Sequence, residues 1–191
     1  MANLPHRILV VDDTEEIRRC SEAVLSGCGY EVRTAKDGFE ALALLRKAVP
    51  DVIISDLEMP NMSGFELLSV VRSRFPHIPV IVITAEFHGI PAPEGLLADA
   101  IFEKGLYAPD ELFREIRSLL EQSPIRPYLV KVDRAPVWIP RNGEYVVLTC
   151  PECLRSFAIS EDDAENGPAE LSCIHCDTRI RFRLGPGGLK S

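Results

Sequence analysis

Three aspartates could together hold a metal ion, because each follows a short apolar stretch typical of a buried strand. Asp12 and Asp13 come directly after ILVV at residues 8–11, and Asp56 follows DVIIS at residues 51–55. Carboxylates that lie close to one another repel, and each raises the proton affinity of its neighbours unless a cation keeps them ionised. If the fold brings the three together, a hard divalent ion with oxygen ligands, Mg²⁺ first, is the expected partner.

Four cysteines form a second set of candidate ligands. CPEC at residues 150–153 and CIHC at residues 173–176 give the spacing C-x2-C-x19-C-x2-C, which is typical of structural zinc sites. Four thiolates can close a tetrahedron around Zn²⁺ and leave no position for a substrate water. An iron site of the rubredoxin type and four unliganded thiols are the alternatives. The candidate ligands are Cys150, Cys153, Cys173 and Cys176.

The elements that would position the aspartates alternate between short β-rich runs and longer segments of helical period. Uninterrupted apolar strands are typical of a parallel sheet covered on both faces. The pattern therefore predicts an α/β fold with a doubly wound, five-stranded parallel sheet. The predicted strands are 8–11, 31–35, 51–55, 79–84 and 99–103, and the predicted helices are 15–26, 39–49, 63–74, 109–121 and a short one at 92–98.

Two further polar residues fall at strand ends in this arrangement. Thr84 ends the fourth predicted strand, and Lys104 follows the fifth. In a doubly wound sheet, ligands bind outside the carboxyl ends of the strands. The sequence therefore predicts one site that contains three acids, a hydroxyl and an amine.

The first predicted helix carries two other cysteines. Cys20 and Cys28 share an apolar helical face with Ile17, Val24 and Leu25. A free cysteine on such a face usually behaves as a small buried hydrophobic residue. We expect both thiols to be buried.

The segments VVDD, SDLEMPNMSG, ITA and FEK, at these separations, resemble the receiver domain of two-component response regulators over about residues 6–122. The resemblance implies a flavodoxin-like receiver fold in which Asp56 takes a phosphoryl group from a phosphohistidine on a partner, either a histidine kinase or a phosphotransfer protein. It implies direct Mg²⁺ ligation by Asp13, Asp56 and the backbone carbonyl of Glu58, with Asp12 acting mainly through water. Lys104 and Thr84 would contact the phosphoryl group, and Met59-Pro60 and Gly64 would shape the loop after Asp56.

The sequence departs from that family pattern at two positions. The residue after the lysine is usually proline and is Gly105 here, and the switch position three residues before the lysine, usually tyrosine or phenylalanine, is Ile101. Phe102 should point to the opposite face of its strand. Either the signal leaves by another route, such as repacking of residues 86–98, or the domain is phosphorylated with weak conformational coupling.

Residues 143–185 resemble a small, β-rich zinc ribbon, with each cysteine pair at the turn of a β-hairpin. After the second pair, arginines alternate with apolar residues, so one face of that strand should be basic and the other apolar. A solvated face is the ordinary interpretation, and the acidic run EDDAE at 161–165 argues against close approach to nucleic acid. The alternating residues are Arg179, Ile180, Arg181, Phe182, Arg183 and Leu184.

Composition and charge bound the remaining possibilities. The chain has 191 residues, 46% of them hydrophobic, and a net charge of −8. Residues 1–121 carry 12 basic and 20 acidic side chains, and residues 122–191 carry 9 of each, so neither part has the basic excess that gives non-specific DNA affinity. No apolar run has the length of a membrane span, and the start lacks the pattern of a signal peptide. We expect a cytoplasmic protein.

The expected organisation is a receiver at 1–121, a proline-bearing linker at 122–142, a zinc ribbon at 143–185 and a tail at 186–191. The expected function is that of a response regulator whose ribbon contacts an output protein or, less favoured, nucleic acid. We expect no enzymatic activity beyond self-phosphorylation and dephosphorylation. Two alternatives are a scaffold that uses the receiver fold without phosphorylation, and an aspartyl-phosphate hydrolase, which would require D-x-D at the end of the first strand.

Overall fold

The computed structural model describes residues 5–85, 98–122, 137–138, 145–166 and 170–182. The chain divides into two compact units, residues 1–128 and 129–191. Some predicted features lie outside the described residues. These are nearly all of the short helix at 92–98, most of the linker, a possible Asn142-Gly143 turn, Arg183, Leu184 and the tail.

The first unit contains one parallel sheet of five strands. The strands are β1 (Arg7–Val11), β2 (Glu31–Ala35), β3 (Val52–Ser55), β4 (Val80–Thr84) and β5 (Ala100–Glu103). Their order is β2-β1-β3-β4-β5, and all neighbouring pairs are parallel. The predicted doubly wound sheet is confirmed, and each strand lies within two residues of its predicted bounds.

The described part of the first unit contains four helices, of which the first three connect successive strands and the fourth follows β5. They are α1 (Glu15–Gly27), α2 (Gly38–Leu45), α3 (Gly64–Arg74) and α4 (Pro109–Gln122). The predicted helix at 39–49 ends early, since the N–H of Lys47 bonds to Leu44 O at 2.9 Å, a three-residue spacing that tightens the chain before Pro50. α3 begins at Gly64, and the Glu66 carboxylate accepts a hydrogen bond of 2.7 Å from the N–H of Ser63.

A hydrophobic core lies between one face of the sheet and two helices. Leu25 of α1 and Ile116 of α4 pack there, and each is at most 3% exposed. Alternate side chains of a strand point to the same face, which explains the strand residues that join them. These are Ile8, Val10, Val52, Ile54 and Ile81.

The expected burial of Cys20 and Cys28 is wrong, because both are exposed. Only Leu25 of α1 is fully buried, and Arg18 and Ser21, on the same side of the helix, are partly buried. The inward face is therefore rotated away from the predicted one. Ile17 is 38% exposed and Val24 is 46% exposed, so these residues and the two cysteines form an exposed apolar stripe.

The second unit is built from short strands around the cysteine pairs. Its elements are β6 (Val137–Trp138), β7 (Val146–Thr149), β8 (Ser156–Ile159), α5 (Glu161–Asn166), β9 (Glu170–Ser172) and β10 (Arg179–Arg181). β6, β7 and β8 form an antiparallel sheet, and β9 pairs antiparallel with β10. Each cysteine pair connects two antiparallel strands, as predicted, and β6 joins the sheet from within the predicted linker.

The core of the second unit is small. Among the described residues of this unit, it consists of seven buried residues, each at most 7% exposed. In β10 and just after it, Ile180 and Phe182 are buried while Arg179 and Arg181 are exposed, which confirms the predicted alternation for the described residues. The seven are Val146, Leu148, Cys150, Phe157, Cys173, Ile180 and Phe182. None of the helices within the described ranges is long and apolar enough to cross a membrane.

Candidate functional site

Backbone hydrogen bonds bring the predicted site residues to one edge of the sheet. The N–H of Asp56 donates to Val11 O at 2.8 Å, and the N–H of Asp12 donates to Ala35 O at 3.1 Å. The N–H of Lys104 donates to Thr84 O at 3.0 Å. Each bond continues the pairing of two parallel strands past their carboxyl ends. Pairing in the sheet therefore fixes the backbone positions from which the side chains of Asp12, Asp56 and Lys104 extend.

The three aspartates lie together as predicted. Carboxylate oxygens of Asp12, Asp13 and Asp56 are all within 4.8 Å of one another. Asp12 and Asp56 are 4% and 6% exposed, whereas Asp13 is exposed. Buried carboxylates need hydrogen bonds or a cation to remain ionised.

Lys104 neutralises part of this charge. Its Nζ lies 2.7 Å from Asp56 Oδ2 and 2.9 Å from Asp12 Oδ2. Burial alone lowers the pKa of Lys104, but the hydrogen bonds and charges of Asp56 and Asp12 outweigh it, so the pKa is raised above its usual value of 10.5. Thr84, on the neighbouring strand, is 1% exposed.

Backbone N–H groups hold the other carboxylate oxygens. Asp56 Oδ1 accepts from the N–H of Leu57 at 2.7 Å and from that of Glu58 at 3.4 Å. Asp12 Oδ1 accepts from the N–H of Thr14 at 2.9 Å, which is an Asx turn at the start of α1. These bonds fix the orientation of the two carboxylates.

Sequence reasoning missed the contribution of Arg18. Its Nη1 donates to the backbone carbonyls of Asp12 and Asp13 at 2.7 and 2.8 Å. An arginine of α1 thereby holds the loop that carries two of the acids. An arginine one turn into a helix has no distinctive sequence signal, because most such residues are solvated.

The loop after Asp56 is tightly packed at Gly64. A Cβ atom at this position would lie 2.0 Å from Asp56 O and 2.8 Å from the Cα of Leu57. No side chain fits there, since real Cβ atoms do not approach backbone so closely. The glycine thus lets α3 start directly against the backbone of Asp56.

The two positions that depart from the family pattern, Ile101 and Gly105, lie at and just after β5. Ile101 is 41% exposed, while Phe102 packs against the core between sheet, α1 and α4. The Phe102 and Tyr107 rings are tilted, with centroids 5.2 Å apart. Gly105 has φ of +81° and a trans peptide bond, and its missing Cβ would meet nothing within 4 Å. Residues 86–97, through which the signal could also leave, lie outside the described part of the chain.

A cavity of about 200 Å³ lies next to the acids. Its lining includes Asp56 and Lys104 together with Ile17, Ile83 and Tyr107. Burial raises the pKa of Tyr107 above its usual value. The acid site is therefore accessible from the side on which α1 lies.

The donor set at this edge fits Mg²⁺. Three carboxylates within 4.8 Å carry more negative charge than Lys104 offsets, and hard oxygen donors are those that Mg²⁺ prefers. Asp13 is the most accessible of the three. Glu58 is exposed, and its carbonyl ligation stays a prediction.

The four cysteines of the second unit meet as predicted. The Sγ atoms of Cys150 and Cys176 are 3.8 Å apart, and those of Cys153 and Cys173 are 3.7 Å apart. All four lie within 4.8 Å of one another. A tetrahedron with Zn–S bonds of about 2.3 Å has edges of about 3.8 Å. The spacing therefore fits a bound metal ion and is far from the S–S bond length of about 2.05 Å in a disulfide.

The two cysteine pairs have the same backbone geometry. The N–H of Leu154 donates to Cys150 O and that of Asp177 to Cys173 O, both at 2.9 Å. Leu154 and Asp177 have φ of 54° and 59°. Each cysteine turn thus ends in a residue with the left-handed backbone conformation, although neither residue is glycine.

The thiols of the cluster differ in pKa. Burial raises the pKa of Cys150 to about 12, whereas hydrogen bonds with Thr178 lower the pKa of the exposed Cys176 to about 7. The Cys176 Sγ and Thr178 Oγ1 atoms are 3.3 Å apart. Ligation requires thiolates, so a metal ion would have to deprotonate the buried thiol.

Comparisons with known proteins agree with the fold and identify the family of the first unit. The family model of the response regulator receiver domain matches residues 8–101. Response regulator MprA of Mycobacterium sp. (strain KMS) is 35% identical over 168 residues, which cover 83% of this chain and 71% of that protein. DNA-binding response regulator MtrA of Mycobacterium tuberculosis (strain ATCC 25618 / H37Rv) is 31% identical over 157 residues, which cover 78% of this chain and 68% of that protein.

Two solved structures extend the comparison. Chemotaxis response regulator CheY4 of Vibrio cholerae is 36% identical with a TM-score of 0.53, and the match covers 60% of this chain and 98% of that one. Response regulator TrrA of Thermotoga maritima, in complex with Mg²⁺ and BeF, is 34% identical with a TM-score of 0.54 and the same coverage. From the fold, the acid site and these relatives together, the chain belongs to the response regulators of two-component systems and carries their receiver domain at its N-terminal side.

Proposed function

We propose that this chain is a phosphorylated response regulator in which Asp56 accepts the phosphoryl group. The observation that carries the proposal is the environment of Asp56. Its side chain is buried, two N–H groups bind Oδ1, and Lys104 binds Oδ2 at 2.7 Å. Asp56 is also the acid that follows β3, the middle strand of the five-stranded sheet.

The chemistry is a transfer of a phosphoryl group from a phosphohistidine. A carboxylate oxygen of Asp56 attacks phosphorus and forms an O–P bond, while the N–P bond of the donor breaks. The bonding electron pair returns to the imidazole, which takes up a proton. Little covalent work falls to the protein in such transfers, which depend on positioning and charge. Lys104 and Thr84 then bind phosphoryl oxygens as cation and hydroxyl donor.

Asp12, Asp13 and Asp56 would hold Mg²⁺, together with the Glu58 carbonyl, and the ion would neutralise charge on the phosphoryl oxygens. TrrA was solved with Mg²⁺ and BeF, and its similarity supports this assignment. The donor would be a histidine kinase or a phosphotransfer protein. Beyond its own phosphorylation and dephosphorylation, we propose no enzymatic activity for the chain.

The four cysteines would hold Zn²⁺ and form an output module that contacts another protein. MtrA carries a DNA-binding name, so nucleic acid is the second candidate. The exposed Arg179 and Arg181 favour it, but exposed Glu170 pairs opposite Arg181. The equal numbers of acidic and basic residues after residue 121 favour a protein partner.

The decisive experiment mixes the purified chain with Mg²⁺ and either acetyl phosphate or beryllofluoride, with Asp56→Asn as the control. We expect one adduct by intact mass in the wild type and none in the variant. No adduct would favour the unphosphorylated scaffold. Sustained turnover of varied phosphomonoesters would favour the aspartyl-phosphate hydrolase.

Metal analysis tests the cysteine site separately. We expect about one zinc per chain, because the site has four thiolate ligands and no open position. A stoichiometry well below one would contradict the assignment. Iron in place of zinc would convert the module to the rubredoxin type, which visible absorption identifies.

A further inference from the structure

We propose that Asp37 and Asn61 are positioning residues for the acid site, because their side chains connect the start of α2 to the loop that follows Asp56. This inference rests on the proposed function and adds to it the elements that set the shape of the metal and phosphoryl site. Neither residue belongs to the predicted ligand set. The loop at issue, residues 57–63, supplies the N–H groups of Leu57 and Glu58 that bind Asp56 Oδ1.

The Asp37 carboxylate is buried and has a partner on each oxygen. Asp37 is 4% exposed. Its Oδ1 accepts from the N–H of Glu40 at 2.9 Å as the N-cap of α2, and its Oδ2 accepts from Asn61 Nδ2 at 2.9 Å. A buried carboxylate is costly to leave with an unpaired oxygen. The side chain therefore fixes the position of Asn61 relative to α2.

A second contact joins the same two elements. The N–H of Gly38 donates to Met62 O at 3.0 Å. A Cβ atom at Gly38 would lie 2.6 Å from Met62 Cγ, and Met62 is 0% exposed. The backbone of α2 therefore rests directly against the loop, and Asn61 has a φ of 65°, a left-handed conformation that asparagine tolerates.

The far end of the loop is fixed against the phosphoacceptor itself. The N–H of Gly64 donates to Leu57 O at 3.0 Å, and the contact of Gly64 with Asp56 O leaves no space for a side chain. The loop is thus held at Gly64 by the backbone of Asp56 and at Asn61 by the carboxylate of Asp37. A shift of Asn61 is expected to move Leu57 and Glu58, because few residues separate these two fixed points.

Exchange of the two side-chain types tests the pair directly. In Asn61→Asp, two carboxylates face each other in place of the hydrogen-bonded pair. In Asp37→Asn, the new oxygen can accept from the N–H of Glu40, and its NH₂ group then faces the NH₂ of Asn61 unless the Asn61 amide turns over and offers its oxygen, so this variant is the milder of the two. In the double variant, the oxygen of Asn at 37 accepts from Glu40 while its NH₂ group donates to Asp at 61. The double variant should therefore recover what Asn61→Asp loses.

Two measurements are made on the full chain below the unfolding temperature. Mg²⁺ alone is titrated, and we expect Asn61→Asp to bind it about tenfold more weakly, as is typical when outer-sphere partners of a metal site are lost, with Asp37→Asn and the double variant within about threefold of the wild type. Asp51→Asn is the matched control. Asp51 Oδ2 accepts from the N–H of Arg7 at 2.8 Å, at the opposite ends of β1 and β3, so its loss should lower stability without changing Mg²⁺ affinity.

Hydrogen exchange of the Leu57 amide in the metal-free protein needs neither Mg²⁺ nor a phosphoryl donor. We expect faster exchange in Asn61→Asp than in Asp51→Asn, and recovery in the double variant. If exchange and Mg²⁺ affinity in Asn61→Asp match those of Asp51→Asn, or if the double variant fails to recover, the positioning role is overturned. A wild type that binds no Mg²⁺ and forms no Asp56 adduct would instead contradict the proposed function, while the exchange result still decides the role of the pair.

Discussion

Asp13 differs from the other two aspartates of the acid site in its surroundings. Asp12 and Asp56 are buried and share the ammonium group of Lys104, whereas Asp13 is exposed and its Oδ1 accepts from the Thr14 hydroxyl at 3.3 Å. In the absence of a cation, the charge of Asp13 mainly repels its two neighbours. The same charge should be needed once Mg²⁺ binds.

The variant Asp13→Asn should therefore have opposite effects with and without metal. In EDTA we expect a gain in the free energy of unfolding of about 0.5 kcal/mol, the size of other exposed charge interactions, because repulsion is relieved. With saturating Mg²⁺, the rise in Tm seen for the wild type should be strongly reduced. Thermal unfolding followed by circular dichroism checks both. Glu22→Gln, an exposed change on α1, is the control, and an unchanged Mg²⁺ response in Asp13→Asn would contradict direct ligation.

Two glycines near the site should respond differently to alanine. At Gly64 a Cβ would lie 2.0 Å from Asp56 O, so we expect Gly64→Ala to lower the free energy of unfolding by about 3 kcal/mol through overpacking and to impair phosphorylation. At Gly105 a Cβ meets nothing within 4 Å, and only the φ of +81° opposes it, at a cost of about 1 kcal/mol. Denaturant unfolding measures both. Equal losses would show that the contact at Gly64 relaxes.

At the scale of single elements, the exposed side of α1 is the main surprise. Ile17, Cys20, Val24 and Cys28 form the exposed apolar stripe. Ile17 also lines the cavity that contains Asp56, so the stripe begins at the acid site. Under the proposed function, a protein that delivers a phosphoryl group would approach Asp56 closely, and we expect it to contact this stripe.

A charge in the stripe should separate protein donors from small-molecule donors. We expect Val24→Glu to slow phosphorylation by a histidine kinase or phosphotransfer protein at least tenfold, since a charge would be buried in the contact. Phosphorylation by acetyl phosphate should be unchanged. Ser26→Glu adds the same charge at another exposed position of α1 and should leave both rates near those of the wild type. Equal slowing with both donors would place the effect inside the acid site.

The sequence predicts the strands of the receiver better than its helix faces. Continuous apolar runs such as VIVIT are typical of buried parallel strands. The ends of these strands determine where Asp12, Asp56, Thr84 and Lys104 lie. In α1, by contrast, the more apolar face with Ile17, Cys20 and Val24 stays exposed, and packing against the sheet selects the face with Leu25. The cysteine spacing predicts the metal site, but nothing in it reveals that Leu154 and Asp177 adopt positive φ. The link between Asp37 and Asn61 spans 24 residues and depends on the folded structure.

At the scale of the whole molecule, the two units differ in what stabilises them. The receiver buries a sheet between helices, whereas the described residues of the second unit have a core of seven that includes two of the four clustered cysteines, Cys150 and Cys173. In a module of this size, a bound metal ion would provide much of the free energy of folding.

Chelation should therefore affect the two units unequally. With a strong zinc chelator, we expect the backbone NMR signals of residues 145–182 to lose their dispersion, while the receiver keeps its cooperative thermal transition. Cys176→Ser should reproduce the effect in part, because it removes one ligand. Asp56→Asn should leave metal content unchanged. Retention of the folded signals after the metal is shown to be absent would contradict the dependence on metal.

The ammonium group of Lys104 occupies oxygens of the acid site that a metal ion or a phosphoryl group would also need. Its ammonium group lies 2.7 Å from Asp56 Oδ2 and 2.9 Å from Asp12 Oδ2, so in the metal-free protein it serves as an internal counter-ion. Under the proposed phosphoryl transfer, Lys104 would shift away from Asp56 Oδ2 before that oxygen attacks phosphorus. We expect Lys104 to make the affinity for a divalent ion weaker than three acids alone would give, because it competes for the same oxygens. Under the same proposal, the readiness of the chain to receive a signal would depend on the supply of cations as well as on the donor protein.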